Sequence, residues 1–157
     1  MLTLIDTALL DELCVEAANS PRRRMNRNFH PNNEYPGHRL LNAMCADSYI
    51  PPHRHCNPHK DETFVVLRGV LGLVLFDEMG ALVQAVKVGA GETALGVDIP
   101  HNEWHSVVAL TPHAVFLEAK SGPYSPLTET ERASWAPAEN SPEAAAYLAR
   151  TLALFRV

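Results

Sequence analysis

The chain lacks the features that mark several large protein classes. No run in its 157 residues approaches the ~20 consecutive apolar residues that a membrane-spanning helix needs. Its N-terminus has neither the basic region nor the apolar core of a secretory signal peptide. Long basic segments are missing too, and a net charge of −5 argues against a general nucleic-acid-binding protein. These absences predict a cytoplasmic protein with no membrane or nucleic-acid partner.

Cysteine is also scarce. Cys14, Cys45 and Cys56 are odd in number and irregularly spaced, so they predict neither a disulfide framework nor a C-x-x-C metal site. This usage fits a reducing compartment. Because Cys56 directly follows a histidine, we interpret it as a small filler near a site, with a ligand or a nucleophile as the alternative.

The pattern of turns and apolar residues predicts an all-β domain between two helices. Seven or so short apolar segments alternate with turns, as in an antiparallel sandwich or barrel. Asp6 can cap an N-terminal helix, and Ser141 with Pro142 can begin a C-terminal one. The polar segment after the first helix lacks periodicity, which predicts a loop. We therefore predict a single domain over residues 1–157, with the first helix and loop at 5–37, the barrel at about 38–120, and a wrap and helix at 121–157.

Two of the predicted strands, at residues 63–67 and 70–76, are apolar on both faces. A single sandwich would leave one face of each strand in water, where polar and apolar residues should alternate. The outer faces are therefore expected to be covered by the N-terminal helix, by another subunit, or by both. On this ground we predict a homodimer.

Three histidines and one glutamate form the most informative pattern in the chain. His53 and His55 stand two residues apart, so in an extended segment both imidazoles lie on the same face. Glu62 opens the next predicted strand and His105 opens a later one, and in an antiparallel barrel these positions can converge inside the mouth. Burying such a polar group without a partner would be costly. The pattern predicts one divalent transition metal (Zn, Fe, Mn or Ni) bound by these four residues.

The same residues resemble the first motif of the cupin superfamily, in which H-x-H is followed by E-x6-G. His53, His55, Glu62 and Gly69 reproduce these elements in order. The gap between His55 and Glu62 is longer than usual. It contains His59, which is an alternative ligand and otherwise a surface loop residue.

Residues 100–105 resemble the second cupin motif, P-x-G-x2-H. Asn102 replaces the turn glycine, which it can do because asparagine tolerates the left-handed backbone conformation. The two motifs together imply a cupin double-stranded antiparallel β-barrel of the jelly-roll type, here with N- and C-terminal helices, that binds a metal.

Further segments narrow the resemblance to the WbuC-type cupin fold metalloproteins, over about residues 3–137. These segments are residues 20–30, 52–55, 60–69 and 122–124. Some relatives of this type lie in bacterial surface-polysaccharide gene clusters. The resemblance thus implies a metal-bearing barrel and the expectation of a role in polysaccharide biosynthesis, but no known reaction.

A polar segment before the barrel supplies candidate substrate ligands. Arg24, Asn26, Asn28 and His30 alternate along it, so in an extended conformation their side chains project to one side. If the segment crosses the barrel mouth, they could bind an anionic or sugar-like small molecule, since arginine suits carboxylates and phosphates. The alternative is a loop whose side chains satisfy backbone groups.

Two classes of function remain open from the sequence. The first is a metal-dependent enzyme acting on a small polar or sugar-like metabolite, as an isomerase or epimerase, or as a dioxygenase if the metal is iron. The second is a noncatalytic small-molecule-binding or structural metalloprotein, because no acid/base pair is recognisable beyond the predicted ligands. No catalytic residue is assigned.

Overall fold

The computed structural model describes residues 2–156 of the chain. This part contains eight antiparallel strands and two α-helices. One sheet has the strand order β1-β2-β8-β3-β6 and the other β5-β4-β7. This architecture confirms the predicted fold class. The elements are α1 (Thr7–Asn19), β1 (Arg24–Asn28), β2 (Gly37–Cys45), β3 (Glu62–Arg68), β4 (Val70–Phe76), β5 (Leu82–Gly89), β6 (Gly96–Ile99), β7 (Trp104–Ala109), β8 (His113–Ser121) and α2 (Ala144–Ala153).

The space between the two sheets is an apolar barrel interior. Each strand turns alternate side chains into it. The rings of Phe64 on β3 and Phe116 on β8 lie 5.0 Å apart there, and Leu71, Leu73 and Val107 of the facing sheet complete the packing. Toward one end of the barrel the inward positions become polar, and this end carries the candidate site.

Helix α1 covers the outer face of β2 and β8. Asp6 caps it as predicted, since its side chain accepts the backbone N–H of Leu9 at 3.0 Å. Leu13 packs with Leu41 and Val115 on the two strands, and all three are fully buried. Neither α1 nor α2 is long and apolar enough to cross a membrane.

The C-terminal segment covers the outer face of β4. The ring of Phe155 packs so closely over Gly72 that a side chain at that position would collide with it. The ring of Trp135 lies 5.1 Å from Phe76, and Val74 is fully buried. The expectation that α1 or a second subunit covers this strand is therefore wrong for β4. On β3 the outer face remains partly open.

Two element boundaries differ from the sequence prediction. The loop predicted before the barrel contains β1, which holds only one apolar residue, Met25, and so shows no strand periodicity. Its β conformation comes from pairing with β2. Helix α2 begins at Ala144 and not at Pro142, because the chain makes a turn there in which Ala144 N–H donates to the carbonyl of Ser141 at 3.2 Å.

Candidate metal centre

Four polar side chains meet at one end of the barrel interior. The candidate ligand atoms of His53, His55 and Glu62 all lie within 4.8 Å of one another. His105 Nε2 lies 3.2 Å from Glu62 Oε2. The structure thus brings together the four residues that the sequence predicts as metal ligands.

Backbone pairing positions these side chains. His53 forms an isolated β-bridge with His105, in which the N–H of each residue donates to the carbonyl of the other at 3.0 and 2.9 Å. The turn before β7 is fixed in the same way, since Asn102 N–H donates to the carbonyl of His55 at 2.8 Å. Asn102 has a φ of 68°, which confirms the left-handed conformation expected where it replaces glycine.

Hydrogen bonds fix the tautomers of two imidazoles. His53 Nδ1 lies 3.0 Å from the carbonyl of Pro51, and His105 Nδ1 lies 2.9 Å from the carbonyl of Glu103. A carbonyl only accepts, so each Nδ1 carries a proton and Nε2 is the nitrogen of each ring that is left to bind a metal. Burial and the neighbouring His105 lower the pKa of His53 to about 3, which keeps this ring neutral at physiological pH.

The donor atoms of the cluster face one another. Within residues 2–156, His55 Nε2 is buried without a hydrogen-bond partner, although it lies 3.2 Å from Glu62 Oε1. His105 Nε2 likewise lies against the carboxylate of Glu62, at 3.2 Å. A metal ion at this point would be bound by both nitrogens and by the carboxylate. Three imidazoles and one carboxylate are a donor set that suits Zn, Fe, Mn or Ni, so these residues fit the predicted metal.

A half-buried lysine holds the carboxylate of the cluster. Lys120 Nζ lies 3.0 Å from Glu62 Oε1 and 2.6 Å from Glu118 Oε1. Asn42 Nδ2 donates to the other oxygen of Glu118 at 2.7 Å. These contacts form a continuous polar network from the cluster into the barrel interior.

Charge in this network fixes the protonation states. Burial would raise the pKa of Glu62, but His105, His55 and Lys120 together hold that pKa well below its usual range. Burial would likewise lower the pKa of Lys120, but Glu118 and Glu62 raise it above its ordinary value. At physiological pH, Glu62 is therefore a carboxylate and Lys120 an ammonium.

The sequence alone does not point to Glu118 and Lys120. They continue the inward face of β8, on which Ala114 and Phe116 precede them. A signal that could have identified them is the change from apolar to charged residues at every second position of β8. It is hidden because the intervening positions, such as Val115, are apolar as well and pack beneath α1.

A cavity of about 640 Å³ extends from the cluster along β1. Arg24, Asn26, Asn28 and His30 all line it, so the predicted substrate-binding residues share one cavity with His53, Glu62 and His105. Met25, between Arg24 and Asn26, lines the same cavity.

Two of these four residues also have structural partners. Arg24 forms an ion pair with Glu139 at 2.7 Å and donates to the carbonyl of Tyr49 at 3.1 Å. The ring of His30 stacks on that of His38 at 3.9 Å, and its Nδ1 accepts a backbone N–H. The alternative expectation, that such side chains satisfy backbone groups, therefore holds for Arg24 and His30.

His59 and Cys56 lie apart from the converging ligand atoms. His59 is exposed and lines a separate surface depression with Asp61. The backbone N–H of Cys56 donates to Glu131 Oε1 at 2.9 Å, and its sulfur does not belong to the ligand group found within residues 2–156. Cys14, Cys45 and Cys56 are all free thiols.

Comparison with solved structures supports the fold. KdgF from Halomonas sp. is 18% identical, with a TM-score of 0.51 over 68% of this chain and 85% of that chain. An oxalate oxidase in complex with the substrate analogue glycolate is 17% identical, with a TM-score of 0.53 over 68% of this chain and 55% of that chain. A cupin superfamily protein from Desulfitobacterium hafniense DCB-2 is 9% identical, with a TM-score of 0.48 over 62% of this chain and 76% of that chain.

Identities this low show the fold alone, and the fold is the double-stranded barrel that the cupin resemblance implies. The finer resemblance to WbuC-type proteins stays a prediction. No curated protein matches the chain. A family model described as a domain of unknown function (DUF6016) matches residues 5–88. Because this match covers more than half of the chain, the protein belongs to the DUF6016 family.

Proposed function

We propose that the protein is a metal-dependent enzyme that acts on a small polar metabolite. The observation that carries this proposal is the cluster of His53, His55, Glu62 and His105, of which all but His55 line a cavity of about 640 Å³. Small-molecule sites typically occupy about 300–1,000 Å³. Four protein ligands on a metal that accepts about six leave positions open for water or substrate.

The residues of the chain have separate roles in this proposal. The bound metal would supply Lewis-acid chemistry, or oxygen activation if it is iron. Lys120 keeps the Glu62 carboxylate ionised and in place. Asn26 Nδ2 donates to Asn28 Oδ1 at 2.8 Å, which leaves one amide oxygen and one amide nitrogen of this pair for a ligand. Such a pair of acceptor and donor suits the hydroxyl groups of a sugar-like molecule.

The resemblance to WbuC-type proteins agrees with a sugar-like substrate. We therefore place the proposed reaction, an isomerisation or epimerisation, in the biosynthesis of surface polysaccharide. Free thiols at Cys14 and Cys45 agree with a reducing, cytoplasmic setting.

A noncatalytic metalloprotein is the second candidate function. The observation that favours it is the number of ligands, because four protein side chains can also close the tetrahedral coordination of a structural zinc ion. In that case the cavity would bind a small molecule without transforming it, or would bind none.

Metal analysis followed by an activity screen tests the proposed function. Protein purified without chelator is expected to contain about one equivalent of a transition metal per chain. A panel of sugars and sugar-linked metabolites should then yield a turned-over compound, with activity lost to a chelator and restored by that metal. Turnover that consumes oxygen and requires iron would identify a dioxygenase. Bound metal without any turnover would favour the noncatalytic candidate, and protein without transition metal would contradict both.

We also propose a homodimer formed through the outer face of β3. Val65 and Leu67 are each 41% exposed on this strand, and Leu95, beside it, is 64% exposed. Val66 N–H donates to the carbonyl of Leu95 at 2.9 Å, which brings Leu95 next to β3. Contiguous exposed apolar surface of this kind favours association.

Substitution of Leu67→Glu is expected to shift the protein from dimer to monomer, because it places a charge at the centre of the apolar surface. Light scattering at micromolar concentration measures the change. Leu82→Glu is the matched control, since Leu82 is also half exposed but lies on β5 of the other sheet. A monomeric native protein, or a dimer that Leu67→Glu leaves intact, would contradict the proposed interface.

A further inference from the structure

A second cavity, of about 440 Å³, lies between the barrel mouth and the segment that follows β8. His53 and His55 form part of its wall, so a ligand held there would reach the metal centre. Among the charged side chains of the lining, basic ones outnumber acidic ones, and Glu139 is the one carboxylate that lines it within residues 2–156. The basic side chains are those of Arg22, Arg24, Lys60, Lys120 and Arg132.

Three of these cations are already paired with carboxylates. Arg22 and Arg24 both contact Glu139, at 3.0 and 2.7 Å. Lys120 lies between two buried carboxylates of the polar network. Their charge is balanced by the protein itself, so they hold structure together and add little attraction for a ligand.

Lys60 has no such counter-charge. The residue is only 8% exposed, and its ammonium donates to the carbonyl of Pro123. None of the ion pairs formed within residues 2–156 includes it. An ammonium has three protons to donate, and a buried charge without a partner is costly. Lys60 is therefore a buried cation in the cavity that His53 and His55 line, and it has no ion-pair partner among residues 2–156.

The position of Lys60 is fixed from two sides. Its backbone N–H donates to the carbonyl of Asn57 at 3.0 Å, within the loop that follows His55. Its side chain is tied to the segment after β8, where the backbone N–H of Tyr124 in turn donates to the carbonyl of Asn33 at 2.8 Å. The ammonium is thus held in place before any ligand arrives, which lowers the entropic cost of binding.

We propose that Lys60 binds a carboxylate or phosphate group of a small molecule whose other end reaches the metal centre. This inference deepens the proposed function and rests on it. An anionic group would supply the missing counter-charge and would accept the remaining protons of the ammonium. Arg132 lines the outer part of the same cavity and forms no ion pair within the described residues, so it adds a second cation on the solvent side.

Anion binding to the full chain, measured by isothermal titration calorimetry, tests this role. The probes are malonate for a carboxylate and inorganic phosphate for a phosphate, each added to metal-loaded and to chelator-treated protein. Lys60→Met is expected to weaken the binding of the preferred anion by about tenfold or more, since hydrogen bonds to charged groups are strong. Lys60→Arg keeps the charge and should retain binding. Lys87→Met, on β5 and outside both cavities, is the matched control and should leave binding unchanged.

Metal content separates this inference from the proposed function. Lys60→Met should bind as much metal as the native protein. Native-like anion affinity in that variant, or no anion binding by the native protein, would overturn the role of Lys60. If native protein holds no metal, the proposed function fails, whereas anion binding that still depends on Lys60 would uphold the cationic site. Should Lys60→Met not fold, Lys60→Gln replaces it, because glutamine keeps a donor for the Pro123 carbonyl. The anion affinity of Lys60→Gln is then compared with that of Lys60→Arg, and equal affinities would overturn the role of Lys60.

Discussion

Replacing His105 or His55 by alanine is expected to remove the metal and leave the barrel folded. Each imidazole presents Nε2 to the Glu62 carboxylate at 3.2 Å, and the side chain of His105 is only 4% exposed. Removing a residue that only hydrogen-bonds to a metal ligand typically weakens metal binding roughly 10- to 100-fold. Removing a ligand itself should weaken metal binding by more than that. The fold should survive because its apolar interior, around Phe64 and Phe116, packs without these imidazoles.

Metal content after gel filtration and far-ultraviolet circular dichroism measure the two parts of this prediction. His59→Ala is the matched control. His59 lies within the gap between His55 and Glu62, but it is exposed and lies apart from the cluster, so this variant should keep its metal. Full metal retention in both His55→Ala and His105→Ala would refute the site. Loss of metal from His59→Ala would instead show that the loop rearranges to supply a ligand.

The sequence predicts this cluster because its signals are local. The two-residue spacing indicates His53 and His55, the strand that opens there indicates Glu62, and the turn at Asn102 indicates the next ligand, His105. Each of these signals can be found without reference to the rest of the fold. Turn spacing likewise predicts most of the strands of the barrel. An antiparallel barrel then brings these positions together, since its strand ends meet at the same mouth.

Long-range packing decides what the sequence does not predict. Strand β1 is polar and becomes a strand only by pairing with β2. The cover over β4 comes from residues some eighty positions later, around Phe155. Lys60 and Lys120 acquire their roles from contacts with Pro123 and Glu62, which are distant from them in the chain.

Removal of the Lys120 ammonium is expected to cause the largest loss of stability, about 3 kcal/mol in metal-free protein. Lys120→Met would leave Glu62 and Glu118 without their shared cation, and both side chains are at least nine-tenths buried. Breaking a buried ion pair on one side costs about 3–5 kcal/mol, and we expect the low end because the Lys120 side chain is 20% exposed. In metal-loaded protein the loss should be smaller, since the metal supplies Glu62 with another positive charge.

Urea unfolding with and without chelator measures this difference. Lys87→Met is again the control, and it should change the free energy of unfolding by less than about 0.5 kcal/mol, as surface substitutions usually do. The double variant Lys120→Met with Glu118→Gln should recover part of the loss, because it removes a buried carboxylate together with its cation. A Lys120→Met variant as stable as the control would show that the Lys120 ammonium does not stabilise the network. An equal loss with and without metal would show that the metal does not bind at Glu62. Stability and metal binding are therefore expected to be coupled through one carboxylate, which Lys120 neutralises before the metal arrives and which the metal and Lys120 share afterwards.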